Sequence, residues 1–271
     1  MEEVISKNEL IKDKFKLLGL DCPTELIAQW AIKEQITDKN YDTVLSLLDC
    51  IKMLRDRNRC KLIKSMSRLP QIAQRTFDNF DVSRISSMNK NMFEHLKSLS
   101  FLDTGSNIVI VGDPGTGKTH IAQAIGNLCC EKLYTTRYFK MVELKENLRK
   151  AVEKDKTNSL LESLSNITCL IIDEVGYCDP LPESESNLFF QILDRRYDKR
   201  KGSTIFTSNM KPSEWRTLFF NNSIAKCALD RIMDRCIAID IRGASYRGQQ
   251  KTVYKISTSS VPEVTGLSLY Q

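Results

Sequence analysis

One octapeptide constrains the fold of this chain more than any other feature. It is Gly112-Asp113-Pro114-Gly115-Thr116-Gly117-Lys118-Thr119, which matches the pattern G-x-x-x-x-G-K-[ST]. Glycines let such a loop curl so that its backbone N–H groups point inward at phosphate oxygens, and the next helix adds the positive end of its dipole. Lys118 supplies a cation, and the hydroxyl of Thr119 is a ligand for Mg²⁺. The octapeptide therefore predicts a binding site for a nucleoside triphosphate.

The sequence on either side of the octapeptide argues against a chance match in a glycine-rich loop. The apolar stretch at 107–111 is typical of a buried strand, and the residues from His120 onwards open a helix. A strand, a loop and a helix in that order are the setting in which this motif binds phosphate.

The same alternation of strands and helices continues to the end of the second half. Strands are predicted at 107–111, 136–139, 168–172, 203–207 and 236–241, with helices at about 117–132, 141–154, 157–165, 184–200 and 223–235. This order predicts an α/β fold with a doubly wound parallel sheet of five strands. Ligands of such sheets bind at the carboxyl ends of the strands, where the octapeptide lies.

The first part of the chain has a different pattern. Apolar residues recur at helical intervals, and no proline occurs between Pro23 and Pro70, which predicts three helices, the last at about 42–67. We therefore expect four regions: a small all-helical N-terminal domain, a connector, an α/β domain that carries the phosphate-binding loop, and a flexible tail, at 1–70, 71–106, 107–250 and 251–271.

Composition excludes several classes of protein. No apolar run approaches the roughly 18 residues that would span a bilayer, and the charged N-terminus has no signal-peptide core, so we expect a cytoplasmic protein with no membrane partner. The chain has nine cysteines without C-x-x-C spacing and only two histidines. These counts argue against a zinc site and against a disulfide framework.

Two acidic residues follow the predicted strand at 168–172. In this topology the acids at the end of that strand face the phosphate-binding loop, so Asp173 is predicted to hold Mg²⁺ and Glu174 to act as the general base on the attacking water. The alternative, a strand followed by a polar turn, does not require two adjacent acids.

Two further residues have both a catalytic and a structural interpretation. Asn209 ends the next apolar strand, where it can bond the γ-phosphate or the lytic water, or instead cap a helix or form an Asx-turn. Arg231 lies on a predicted helix, where it can complete the site of a neighbouring subunit or form an ordinary ion pair.

Charge is unevenly distributed, although the net charge is only +6. Between Lys52 and Arg68 there are seven basic residues and one acid. This segment is a candidate for DNA contact, with a solvated helix face as the alternative. The candidate residues are Arg55, Arg57, Arg59, Lys61 and Lys64.

Several motifs, taken in order, resemble the IstB family of transposition helper ATPases, within the DnaC-like group of AAA+ proteins. They are Thr76-Phe77-Asp78-Asn79-Phe80, the loop extended to His120, Leu170-Ile171-Ile172-Asp173-Glu174-Val175-Gly176-Tyr177, and the stretches 187–192, 195–197, 207–209, 213–215, 229–231 and 245–247. The first 70 residues match only by pattern.

The resemblance implies an AAA+ P-loop fold without a full C-terminal lid, and a site that binds ATP and Mg²⁺ and hydrolyses ATP. It implies that His120 belongs to the nucleotide loop, that Asn209 is the first sensor residue, that Arg231 is an arginine finger acting in trans, and that Arg247 is a second nucleotide sensor. Related proteins contact DNA with the segment after the second strand, which adds Lys145 and Arg149 as candidates, although a solvated helix fits that segment equally well.

The resemblance also implies the partners. These are double-stranded DNA, further copies of the chain joined through ATP-bridged interfaces, and a transposase. The alternative is a replicative helicase loader of the DnaC or DnaI type, with the same chemistry and a helicase as partner. An ATP-binding protein without turnover is disfavoured by the presence of Glu174, Asn209 and Arg231.

Overall fold

The computed structural model of the chain describes residues 2–72, 74–81, 90–200 and 202–242. Its centre is a parallel sheet with the order β2-β3-β4-β1-β5. The strands are β1 (Asn107–Gly112), β2 (Thr136–Lys140), β3 (Cys169–Asp173), β4 (Ser203–Ser208) and β5 (Cys236–Ile241). All five strands predicted from the sequence are confirmed, as is the parallel α/β architecture.

Helices cover both faces of the sheet, which explains why the strands are continuous apolar runs. The helices around and after the first strand are α4 (Lys90–Ser98), α5 (Phe101–Thr104), α6 (Lys118–Glu131), α7 (Met141–Glu153), α8 (Thr157–Ser165), α9 (Glu183–Lys199) and α10 (Asn222–Met233), with a 3₁₀ helix at Pro212–Leu218. Alternate strand residues enter two separate cores: Ile108 and Ile110 pack on the α6 side, and Val109 packs on the side of α7 to α10.

The strand order decides which residues lie together at the carboxyl edge of the sheet. Strand β4 lies between β1 and β3. Its residue Phe206 pairs with Val109 of β1 on one side and with Ile172 of β3 on the other. The loop after β1 and the residues that end β3 and β4 therefore share one edge, as the topology predicts for a ligand site.

The N-terminal part consists of α1 (Glu2–Leu17), α2 (Thr24–Lys33) and α3 (Asp38–Met66), which confirms the three predicted helices. They share a small core of their own, formed by Ile11, Ile27, Ala31, Tyr41 and Leu48. A buried hydrogen bond of 2.9 Å from the Tyr41 hydroxyl to Asn8 Oδ1 joins α3 to α1.

The end of α3 belongs to the core of the sheet. Ile63 and Leu69 are buried in the cluster on the α6 side, and Lys64 Nζ lies 3.0 Å from Glu131 Oε1 at the end of α6. Helix α3 therefore runs from the small helical core into the larger one, and the domain boundary at residue 70 remains a prediction.

The predicted C-terminal tail, Arg247 and the segment that would form a lid lie outside the described residues. Within the described ranges, no helix is long and apolar enough to cross a membrane.

Candidate nucleotide-binding site

The loop after β1 owes its shape to glycines. Gly112 has φ +149°, and a Cβ atom there would lie 2.3 Å from the backbone oxygen of Ile241 on the neighbouring strand. Gly117, the residue before α6, has φ +101°. Side chains with a Cβ rarely adopt these conformations, so glycine is required for β1 to turn back into α6 at this point.

Lys118 is the first residue of α6, and its side chain lies within the loop. The ammonium Nζ donates hydrogen bonds of 2.7 Å to the backbone oxygens of Gly112 and Asp113, and only 7% of the residue is exposed. The loop therefore encloses a positive charge, which favours the binding of an anion.

Asp173 ends β3 and is completely buried, with three hydroxyl groups around its carboxylate. Thr119 donates to Oδ1 at 3.0 Å, and the Thr207 hydroxyl also donates to Oδ1. From the other side, the Tyr138 hydroxyl donates to Oδ2 at 2.6 Å. Strands β2 and β4 flank β3, so each contributes one donor and both carboxylate oxygens are oriented.

The Tyr138 phenol is held in its protonated form. Burial, followed by the negative charge of Asp173, raises the pKa of Tyr138 well above its usual range. The phenol is therefore a permanent hydrogen-bond donor to this carboxylate.

Glu174 follows Asp173 with a left-handed backbone, φ +61°. Its N–H donates to Thr207 Oγ1 at 3.0 Å, so one threonine hydroxyl fixes both acids. The Glu174 carboxylate, unlike that of Asp173, is 40% exposed and lies 3.1 Å from Lys140 Nζ at the end of β2. It is thus accessible to water and held by a cation.

Asn209 follows β4, and its side chain contacts Tyr177. The amide Nδ2 donates a hydrogen bond of 2.5 Å to the Tyr177 hydroxyl. Both side chains line the same cavity as the loop. The amide therefore lies at the cavity beside the loop, with its N–H bonded to the Tyr177 hydroxyl.

His120 attaches the segment at 74–80 to α6. Its Nε2 lies 3.0 Å from the Thr76 oxygen and 2.9 Å from Asn79 Oδ1, and because both are acceptors the proton is assigned to Nε2. The Phe80 ring lies 5.0 Å from the imidazole. Burial lowers the pKa of His120; the hydrogen bond to Thr76 opposes this effect, and the charge of Arg75 adds to it.

These groups surround one cavity of 540 Å³. Such a volume lies within the range of small-molecule sites, about 300–1,000 Å³. Asp173 lies beneath it, bonded to Thr119. The lining residues are Arg75, Phe80, Pro114, Gly115, Gly117, Lys118, Thr119, His120, Val142, Glu174, Tyr177, Thr207, Ser208 and Asn209.

Several lining or supporting residues were not identified from the sequence. Phe80 and Tyr177 lie inside motifs that carried the family resemblance, so those motifs could have pointed to them. Tyr138 and Lys140 had no such signal, because a tyrosine in a predicted strand and a lysine just after it are ordinarily interpreted as packing and solvent contact.

Arg231 lies far from this cavity within the subunit. The Asn107 amide, at the start of β1, donates to the backbone oxygen of Arg231 at 3.4 Å, which puts the arginine at the amino edge of the sheet. Its guanidinium is 2.8 Å from Asp194 Oδ1 and 4.7 Å from the Tyr197 ring. The structure thus gives Arg231 an ion pair and keeps it apart from its own subunit's nucleotide loop.

The basic residues proposed for DNA contact on α3 divide into two groups. Arg55 donates to the Leu17 oxygen at 2.6 Å, and Lys64 pairs with Glu131. By contrast, the side chains of Arg57, Arg59 and Lys61 are exposed and make no ion pair within the described part of the chain.

The two candidates on α7 both have internal partners. Lys145 donates to the backbone oxygens of Asp179 and Pro180 at 3.1 and 3.3 Å. Arg149 pairs with Glu146 at 2.7 Å and also with Glu153. The charge of Arg149 is therefore compensated by acids on its own helix, whereas Lys145 is held by uncharged backbone oxygens.

The sequence was compared with known families and proteins. The family model described as IstB-like ATP binding protein matches residues 14–253. The ATP-binding protein of insertion sequence IS232 from Bacillus thuringiensis is 34% identical over 206 residues, 76% of this chain and 80% of that protein. The IS21 ATP-binding protein of Pseudomonas aeruginosa is 28% identical over 260 residues, 95% of this chain and 94% of that protein.

Solved structures were compared with the fold. AMPPCP-bound DnaA from Aquifex aeolicus matches with a TM-score of 0.53 at 23% identity, covering 65% of this chain and 51% of that chain. DnaI matches with a TM-score of 0.53 at 19% identity, covering 68% of this chain and 98% of that chain. At these identities the likeness concerns the fold, which is that of the AAA+ proteins, and not the partners.

Proposed function

The chain belongs to the family of IstB-like ATP-binding proteins, and on that basis we propose that it is an ATP-hydrolysing helper of DNA transposition. With ATP bound, it assembles on duplex DNA and recruits a partner transposase. Hydrolysis of ATP to ADP and phosphate then releases or remodels the assembly. The insertion-sequence relatives support this context.

One observation carries the ATPase part of the proposal. Residues of the loop with α6 and of the ends of β3 and β4 line a single cavity at the carboxyl edge of the sheet, and Asp173 lies beneath it, bonded to Thr119 and to Tyr138 of β2. They comprise a cation, a hydroxyl, two carboxylates of different exposure and an amide. A site that only held nucleotide would not require the exposed carboxylate of Glu174.

The loop binds the phosphates of ATP with its backbone N–H groups and with the ammonium of Lys118. Thr119 and Asp173 offer oxygen atoms 3.0 Å apart, which suits Mg²⁺, a cation that prefers oxygen ligands. Bound there, Mg²⁺ supplies neutralisation of charge on the phosphoryl groups. Tyr138 and Thr207 keep the carboxylate of Asp173 in the orientation that this role requires.

Glu174 orients and deprotonates the water that attacks the γ-phosphate. Its ion pair with Lys140 holds the carboxylate beside the cavity, and its exposure gives water access. The Asn209 amide donates to the γ-phosphate or to that water. Much of the rate acceleration comes from this positioning and from charge stabilisation.

Arg231 serves the site of a neighbouring subunit. It lies at the edge of the sheet opposite its own nucleotide loop, so its guanidinium reaches phosphate only across an interface between copies. To do so it leaves Asp194, its present partner. This change of partner, from Asp194 to phosphate, couples assembly to hydrolysis. In an isolated subunit no arginine from a neighbour reaches the nucleotide site.

The experiment that tests the proposal measures assembly and turnover together. The wild-type chain is mixed with a duplex of mixed sequence and with ATP, ADP or no nucleotide, and particle size is followed by light scattering. We expect large particles only with ATP and DNA together, and ATP turnover stimulated by DNA. Particles that form equally with ADP, or an absence of DNA binding, would contradict the proposal.

A helicase loader remains the alternative with the same chemistry. The likeness to DnaI does not favour it, because at 19% identity only the fold is shared. Mixing the ATP-bound chain on DNA with the transposase of an IS21-type insertion sequence, and separately with a replicative helicase, distinguishes the two. Retention of the helicase and not the transposase would support the loader.

A further inference from the structure

The segment at 67–69 follows the end of α3 and is hydrogen-bonded to the edge strand β2. It carries an arginine with an unusual backbone conformation. Ser67 and Leu69 are buried, with exposed fractions of 0% and 3%, whereas Arg68 between them points to the surface. Arg68 has φ +61°, in the left-handed region that residues with a Cβ atom rarely adopt. The chain therefore keeps an unfavourable backbone conformation at an exposed arginine.

Three hydrogen bonds fix this segment. The Tyr138 N–H of β2 donates to the Ser67 backbone oxygen at 2.7 Å. The Ser67 hydroxyl donates to the Lys64 oxygen at 2.7 Å and accepts from the Leu69 N–H at 3.1 Å. Because both of its neighbours are anchored, the place from which the Arg68 side chain projects is also fixed.

The Arg68 side chain meets a second arginine. Its Cζ lies 4.7 Å from the centroid of the Phe139 ring, and Arg137, two residues before Phe139 in β2, lies on the same face of the strand. Arg137 is half-buried, and burial, followed by the charge of Arg68, lowers its pKa. The two guanidinium groups are therefore close enough to repel each other.

Among the described residues, no carboxylate compensates for this repulsion. Within residues 2–72, 74–81, 90–200 and 202–242, neither Arg68 nor Arg137 forms an ion pair or a hydrogen bond to an acid. Two like charges that are held together without a counter-charge favour binding of an anion, which stabilises both. Guanidinium groups in particular match phosphate oxygens with two parallel N–H bonds.

The arginine pair continues a stripe of positive charge on α3. Arg57, Lys61 and Lys64 recur at intervals of four and three, so they lie on one face of the helix, over about 10 Å of its length. Arg57 and Lys61 are exposed, and Arg68 follows just beyond the end of the helix. The stripe thus leads from α3 to the edge of the sheet.

We propose that Arg68 and Arg137 form a phosphate-binding pair that, together with Arg57 and Lys61, holds the sugar-phosphate backbone of DNA against the edge of the sheet. This inference rests on the proposed function, since it specifies where the DNA lies. The contacts are to phosphate and not to bases, so they position the duplex without reading its sequence.

The test measures the salt dependence of DNA binding. A fluorescein-labelled duplex of mixed sequence is titrated with the full chain and saturating ATP at several KCl concentrations. Each phosphate contact contributes about 0.9 to the slope of log K against log salt. Arg137→Gln should therefore flatten the slope by about 1, and the double variant Arg68→Gly with Arg137→Gln by about 2.

The variants are chosen so that the fold survives. Glycine readily adopts the backbone conformation of residue 68, so Arg68→Gly removes the side chain and relieves the backbone strain. Arg137→Lys keeps a charge and should keep the slope near that of the wild type. ATP turnover without DNA should be unchanged for all variants, since neither arginine lines the nucleotide cavity.

Arg216→Gln is the matched control, because Arg216 is exposed on the 3₁₀ helix and forms no ion pair within the described residues. It makes the same change in net charge, and its slope should stay at the wild-type value. If the Arg68 and Arg137 variants behave like Arg216→Gln, the phosphate-binding pair is refuted while DNA binding stands. If the wild-type chain binds no DNA at all, the proposed function fails and this inference with it.

Discussion

The hydroxyl of Tyr138 should stabilise the fold through Asp173, and Tyr138→Phe removes it alone. Phenylalanine keeps the ring and its packing in the core, so the change removes only the hydroxyl, with its bond to Asp173 and its contact with the Gln123 side chain. That bond is 2.6 Å long, is buried, and ends on a carboxylate that is completely inaccessible to water. Without it, water cannot take the place of the lost donor at Oδ2.

The size of the effect follows from this burial. A hydrogen bond to a charged group contributes about 1.5–3 kcal/mol to stability, and loss of a buried partner falls in this range. For a chain of this size, about 1 kcal/mol corresponds to a shift of about 2–4 °C in the unfolding temperature. We therefore expect Tyr138→Phe to lower that temperature by about 3–12 °C, measured by circular dichroism without nucleotide.

A second tyrosine provides the control. The Tyr197 hydroxyl donates to Asp234 Oδ2 at 2.9 Å, but that aspartate side chain is 45% exposed. Water replaces the lost donor there, so Tyr197→Phe should change the unfolding temperature far less. Equal shifts for the two variants, or no shift for Tyr138→Phe, would show that burial of the Asp173 carboxylate does not govern this hydrogen bond.

Further predictions concern the nucleotide site. Lys118→Ala should abolish binding of a fluorescent ATP analogue, because the loop loses its cation; binding of wild-type strength would remove Lys118 from the site. Glu174→Gln should bind ATP but release no phosphate, and wild-type turnover would disprove its role as base. Arg231→Ala should lose turnover with nucleotide affinity almost unchanged, whereas a loss of affinity would place the arginine in its own subunit's site. Because the pKa of His120 is lowered on folding, the unfolded chain takes up its proton first as pH falls. Its contribution to stability should therefore be complete above pH about 6.5 and decline below it, and His120→Gln should reduce this pH dependence in urea unfolding.

Much of the fold could be predicted because its signals are local. Strand β1 and helix α6 follow from an apolar run, a glycine loop and a helical pattern, all within neighbouring residues. The helix at 157–165 was predicted with the bounds that the structure shows. Helix α3 begins earlier than expected, at Asp38, because its first three residues are polar and show no apolar periodicity.

The candidate site could be predicted only in part. Asp173 was expected near the loop because parallel topology brings strand ends to one edge, and it lies 3.0 Å from Thr119. The roles of Asn209 and Arg231 were assigned from family resemblance, and those of the basic residues on α3 from the charge distribution. All of these roles remain predictions. The ion pair of Lys140 with Glu174 had no sequence signal, because it joins the ends of two strands that are distant in the chain.

The sequence by itself determined the phosphate-binding loop, since backbone conformation there depends on glycines that are adjacent in the chain. It also determined the parallel sheet, through the period of its apolar residues. Only the tertiary structure decided which side chains surround Asp173 and that Arg68 meets Arg137. The physical reason is that these contacts depend on strand order and on the path of α3 to the edge strand, which bring residues far apart in sequence within hydrogen-bonding or Coulombic range. Composition and periodicity do not indicate which of these distant residues come into contact.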